Sequence, residues 1–194
     1  MNGRTADYPV DPMFLERWSP RAFTGETIPK DVFFTMLEAA RWAPSSGNAQ
    51  PWRFVYGLHG TPAFEKLLGL LVPGNQVWAK NASVLLFFIS KKTSVSPSGR
   101  VVQQLTHSFD TGTASGYFAL EVRRLGYYAH GIGGFDRERA ITELNVTDDY
   151  HVEAAYAVGR HGDPATLPPE LAEREKPNGR RPLTELVFEG TLQL

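Results

Sequence analysis

Ser83–Ser90 reads SVLLFFIS, an unbroken apolar run from Val84 to Ile89 set between two serines. The run is short and rich in aromatic and β-branched residues, which marks a strand. Successive side chains of a strand point to opposite faces, so a continuous apolar run is buried on both. This strand is therefore central to its sheet.

Working outward, apolar periodicity gives alternating helices and short strands. Upstream, Ala63–Leu71 reads as a short helix and Trp52–Tyr56 as a strand. Lys30–Trp42 is a helix, with Val32, Phe33, Met36, Leu37 and Ala40 at helical spacing and Pro29 suited to its first turn. Ala43-Pro44-Ser45-Ser46-Gly47-Asn48 ends it, because Pro and Gly are poor helix formers and Ser and Asn favour turns. Downstream, Lys91–Arg100 has Ser, Pro and Gly without periodicity and reads as a loop or an insertion over a site. Asp110 is placed to cap a helix running to Leu125, closed by Gly126. Gly112 and Gly116, with Ser115 and Ala119 a step round, predict tight helix packing within the subunit or across a dimer. Gly131–Gly134 reads as a turn, Arg137–Leu144 as a helix and Val152–Val158 as a buried strand. His161–Arg181 is dense in Pro, Glu and Arg and belongs on the surface, whereas Leu183–Gly190 (LTELVFEG) is again strand-like.

The whole chain, 194 residues with 42% hydrophobic content, fits one domain spanning 1–194, with no repeats. At this length roughly 70% of the unfolded surface can be buried, so the core needs no staple. Lys+Arg number 20 against Asp+Glu 21, which speaks against a nucleic-acid partner. There is no cysteine, so disulfides, thiolate metal sites and thiol redox chemistry are excluded. Any redox function must run on a cofactor. The apolar runs are too short to span a membrane and the first ten residues are polar, so a cytoplasmic protein is expected.

Three segments carry candidate chemistry. In Glu16-Arg17-Trp18-Ser19-Pro20-Arg21, Pro20 pushes Ser19 out of the helical region, so the segment is extended. Alternation then points Arg17, Ser19 and Arg21 the same way, and two guanidinium groups with a hydroxyl suit a phosphate dianion. The same residues also suit a solvated basic turn. The turn APSSGNAQPW (Ala43–Trp52) offers Ser45, Ser46, Asn48 and freed amides, fit either for the polar edge of a planar heterocycle or for a self-satisfied loop. Gly131-Ile132-Gly133-Gly134 lacks the spacing of a dinucleotide fingerprint and follows a helix in this reading rather than a strand; it lets backbone approach a ligand, or it is an ordinary turn. The five histidines lack metal-site spacing. His107, Ser108 and Asp110 contain triad residue types without a nucleophile elbow, and neighbours in sequence rarely face one another. Trp42, Trp52 and Trp78 read as packing residues.

Taken in order, RWSPRAF (Arg17–Phe23), AARWAPSSGNAQPWRFV (Ala39–Val55), GNQVW (Gly74–Trp78), FDTGTA (Phe109–Ala114), LGYYAHGIGGFD (Leu125–Asp136) and RRPLTELVFEG (Arg180–Gly190) resemble the short form of the flavin-dependent nitroreductase family, over nearly the whole chain. The resemblance implies an α+β, nitroreductase-like fold with a mostly antiparallel central sheet flanked by helices. It also implies an intertwined homodimer in which residues 161–194 form an arm that crosses to the partner and ends in an exchanged strand. FMN would lie between subunits, its phosphate held by Arg17, Ser19, Arg21 and Arg180, with Arg181 the alternative if the register slips by one. Pro44, Ser45, Ser46 and Asn48 would touch the flavin from the other subunit. Asn75 would lie near the ring, and the amides of Gly133 and Gly134, with Ile132 beside them, would face its reactive edge.

The implied activity is hydride transfer from NADH or NADPH through FMN to a nitroaromatic, quinone or similar electron-poor small molecule. No side-chain acid or base is required, so no catalytic residue is nominated. The alternatives are a flavin-storage or redox-sensing protein, and a relative specialised for biosynthetic oxidation or dehalogenation. Trp18, Tyr127, Tyr128 and the 91–107 loop depart from the family pattern and bear on cofactor affinity and substrate choice.

Overall fold

A computed structural model describes residues 3–192. In chain order its elements are α1 (Pro12–Glu16), α2 (Lys30–Arg41), β1 (Trp52–Leu58), α3 (Pro62–Leu70), α4 (Pro73–Ala79), β2 (Val84–Lys91), β3 (Thr93–Val95), β4 (Val101–Gln103), α5 (His107–Arg124), β5 (Tyr128–Ile132), α6 (Arg137–Glu143), β6 (Tyr150–Gly159) and α7 (Pro169–Ala172). The main sheet has the order β1-β2-β6-β5, and every pair is antiparallel. β2 is interior, as its two apolar faces require. Val84, Leu86 and Phe88 pack against Phe33, Met36 and Ala40 of α2 and Ala114, Phe118 and Val122 of α5. Leu85, Phe87 and Ile89 face the opposite side, against Phe64, Leu67 and Leu70 of α3 and Trp78 of α4. Each such Leu or Phe removed from water contributes about 1.5–3 kcal/mol, so the eight-residue strand organises two cores at once. The fold is α+β, an antiparallel sheet flanked by helices.

Several elements differ from their reading in the sequence. The stretch after β2 is not an irregular loop: Thr93–Val95 pairs with Val101–Gln103 in a hairpin, tied to the sheet by Lys92 N–H donating to Asp149 O at 2.8 Å. Its three-residue strands bury no apolar face, so periodicity could not reveal them. Asp110 does not cap α5, which begins at His107 after Thr106. Asp110 lies inside the first turn, buried, and its Oδ2 accepts from Thr106 Oγ1 at 3.0 Å and from Ser46 N–H at 3.1 Å. Gly126 does end the helix, with φ +82°. Gly131 belongs to β5 rather than to a turn, paired with Tyr156.

Within one chain, the C-terminal segment has two parts. Residues 161–175 pack on their own chain, through a bridge between Phe23 and His161 and through buried Leu167 and Glu175. Leu183–Glu185 is a 3-10 turn, not a strand. Strands need a hydrogen-bonded neighbour, and among the described residues Leu183–Gly190 pairs with none; residues 193–194 of the arm lie outside the described range. Trp42 is exposed, lying against Arg41 and donating to Glu38 Oε1 at 2.8 Å, while Trp52 and Trp78 are buried. Added Cβ atoms at Gly112 and Gly116 would meet nothing within 4 Å, so this face of α5 is open among the described residues.

Candidate functional site

Residues 17–22 alternate as the extended reading requires: Trp18, Pro20 and Ala22 are buried, while Arg17, Ser19 and Arg21 are half-exposed on the other side. Trp18 is turned into packing, edge-on to His161 at 5.2 Å and Tyr128 at 6.1 Å. Arg17, Ser19 and Arg21 line a cavity of about 730 Å³, together with Arg4, His130, Arg174, Lys176 and Arg180, and with Glu173 as its acidic member. Arg181 lies instead in a neighbouring cleft of about 510 Å³ between the two terminal segments.

The cations crowd one another. Burial, and then the Arg180 charge, hold the Arg17 guanidinium below its ordinary value. Arg4 is lowered by burial and by the Arg180 and Arg17 charges. Like charges gathered in a concave site favour an anion that neutralises them. Arg4 also braces the walls: it donates to Arg17 O at 2.7 Å and to Asn178 O at 2.7 Å. His130 Nδ1 is 2.8 Å from Pro20 O, and its ring lies 4.6 Å from that of Trp78. Burial holds this imidazole below its ordinary value, against the opposing pull of the Pro20 carbonyl.

Two further groups lie outside this cavity. At the end of β5, Gly134 O accepts from Asn75 Nδ2 at 3.0 Å. A Cβ on Gly134 would stand 2.6 Å from that nitrogen, so only glycine lets the two meet. Ile132, by contrast, puts its side chain into the core and can offer a ligand only backbone. The Pro44–Asn48 turn lies beside the start of α5. Gly47, Asn48 and Gln50 have φ of +57°, +53° and +47°, with Ala49 at −65° between the last two, and left-handed backbone at two non-glycine residues needs a well-held turn. Asp110 grips its Ser46 amide, and Ser45 Oγ accepts Gln50 N–H at 3.0 Å.

Thus one chain brings Arg17, Ser19, Arg21 and Arg180 together and separately joins Asn75 to Gly134. It leaves Pro44, Ser45, Ser46 and Asn48 in a third place. Sequence reasoning missed Arg4, His130, Arg174 and Lys176, none of which sits in a periodic pattern or a turn signal. His107 and Ser108 do approach each other: Ser108 Oγ is 3.3 Å from His107 Nδ1, with Ser90 Oγ at 2.8 Å from the same nitrogen. Buried Ser90 and exposed Ser108 both donate their hydroxyl protons to Glu153 Oε1, at 2.5 and 2.7 Å, so neither proton is directed at His107 and the cluster ties α5 to the sheet.

Residues 15–60 match the sequence profile of the Nitroreductase family. A solved structure described as an oxidoreductase containing FMN is 48% identical, with a TM-score of 0.96, and the match covers 100% of this chain and 98% of that one. A Streptomyces coelicolor protein named "Putative NADH dehydrogenase/NAD(P)H nitroreductase" is 27% identical over 168 residues, 78% of this chain and 83% of that protein. A nitroreductase family protein from Clostridium difficile shares the fold at 21% identity and a TM-score of 0.70, covering 93% of this chain and 97% of that one. The antiparallel sheet between two helical layers is the α+β fold of the nitroreductase-family structures it matches. The chain belongs to the nitroreductase family.

Proposed function

We propose that the protein is an FMN-dependent oxidoreductase that takes hydride from NADH or NADPH and delivers it to nitroaromatic, quinone or similar electron-poor acceptors. The observation that carries this reading is the cationic cavity built by Arg17, Ser19, Arg21 and Arg180. Its donors suit the phosphate of FMN: guanidinium forks for bidentate contacts, a hydroxyl, and charge left unneutralised by Glu173 alone. The Asn75–Gly134 group suits the other end of the cofactor. His130 in the cavity wall and Gly133 are three residues apart on one extended segment, about 10 Å. Bound FMN supplies the two-electron chemistry; the protein supplies position and electrostatics. Amide groups of Gly133 and Gly134 offer hydrogen-bond donors where negative charge develops on the ring. Pro44, Ser45, Ser46 and Asn48 lie apart from the cavity in their own chain, which fits contact with the flavin of a partner subunit in a homodimer.

Names given to relatives favour the enzymatic reading over storage, and the electron donor rests on them. The direct test compares ligands with and without the phosphate. FMN should bind at least about tenfold tighter than riboflavin, since each charge-assisted hydrogen bond is worth about 1.5–3 kcal/mol. Equal affinities in a fluorescence titration would remove the phosphate assignment.

A further inference from the structure

Glu175 follows α7 and stands behind the extended segment that carries Arg17, Ser19 and Arg21. Its side chain has 0% exposure, although Glu173, Arg174 and Lys176 around it are exposed. Oε1 accepts the amide N–H of Arg21 at 2.7 Å and that of Ala22 at 2.8 Å, with His161 Nε2 at 3.5 Å. Oε2 is buried without a hydrogen-bond partner. Such a half-satisfied buried carboxylate is unfavourable for folding by itself. What it does is take the place of a neighbouring strand. Residues 17–21 pair with no strand among the described residues, and the first bridge comes at Phe23 with His161.

We infer that Glu175 is a positioning residue for the phosphate cradle. Two N–H groups of consecutive planar peptides held on one oxygen fix the backbone dihedrals at Arg21, and so the direction in which its side chain leaves the extended segment. Without that anchor the alternation that converges Arg17, Ser19 and Arg21 loses its reference. The role is that of an acceptor at the right reach; the negative charge, which opposes an anionic ligand, is not what the cradle uses. This inference rests on the FMN reading given above.

Two conservative variants separate reach from charge. Glu175→Asp keeps the charge but withdraws the oxygen by one methylene; Glu175→Gln keeps an acceptor oxygen at the same reach without the charge. Affinities for FMN and riboflavin are measured by flavin fluorescence on each purified protein. Glu175→Asp should weaken FMN by about tenfold or more, the loss of roughly one charge-assisted contact, and leave riboflavin within about twofold. Glu175→Gln should hold FMN within about threefold of the parent. If Glu175→Asp binds FMN like the parent, or if Glu175→Gln loses as much as Glu175→Asp, the inference is overturned. Equal weakening of FMN and riboflavin would also overturn it, leaving a general structural role. Should the parent itself not distinguish FMN from riboflavin, the phosphate reading and this inference fall together; a parent that does distinguish them with unaffected variants removes Glu175 alone.

Discussion

Arg17 and Arg21 are the residues on which cofactor retention should most depend. Replacing both with Ala removes two guanidinium contacts, and FMN affinity should fall by about a hundredfold or more while circular dichroism stays that of the folded chain. Retention of tight FMN binding would show that the phosphate sits elsewhere. His130, in the same wall, carries a pH consequence. Its imidazole is held below the ordinary value by burial, so the unfolded chain is the better proton binder. Stability should therefore fall as pH drops through about 6.5 towards the lower folded midpoint. An NMR titration of His130 in the FMN-free protein should give a midpoint below 6.5, and one at or above it would contradict the placement. At this scale the sequence was partly legible. Alternation about Pro20 is a local rule, so Arg17, Ser19 and Arg21 could be read together. Arg4, His130 and Glu175 could not, because long-range packing alone brings them to residues 17–22.

Among the elements, β2 was readable because a strand buried on both faces leaves a continuous apolar signature. Phe118 of α5 shows what that burial is worth: fully buried, it meets Phe88 edge-on at 5.5 Å and Tyr156 at 5.8 Å. Phe118→Ala should cost about 3–5 kcal/mol in urea unfolding; a cost below about 1 kcal/mol would contradict the packing of α5 on the sheet. Asp110 was misread for a physical reason. An Asp near a helix start looks like a cap, but its oxygen is spent on Ser46 and Thr106, a contact 64 residues away for Ser46. Asp110→Ala should release the left-handed turn at Gly47–Gln50 and cost about 1–3 kcal/mol. No change in unfolding free energy would show that the turn holds itself. The β3–β4 hairpin was missed because its strands are short and exposed, and nothing in their composition reports which neighbour they find.

For the whole molecule, the antiparallel sheet with helices on both faces was legible through the family resemblance, and the two-sided burial of β2 agrees with it. The strand-like character of Leu183–Gly190 was not a guide to its structure in a single chain, where Leu186 and Val187 are exposed. The homodimer proposed above would cover both those side chains and the open Gly112–Gly116 face of α5. Sedimentation should find a dimer, and Gly116→Leu should shift it towards monomer if this face is at the interface; an unshifted dimer would place the interface elsewhere. The central claim, an FMN oxidoreductase fed by a nicotinamide donor, is tested most directly by one spectrum. Purified protein reconstituted with FMN is mixed with NADH or NADPH without oxygen, and the flavin absorbance is followed. The account predicts bleaching, followed by return of the yellow oxidised spectrum when a quinone or nitroaromatic is added. Bound FMN that stays oxidised with both donors would contradict it.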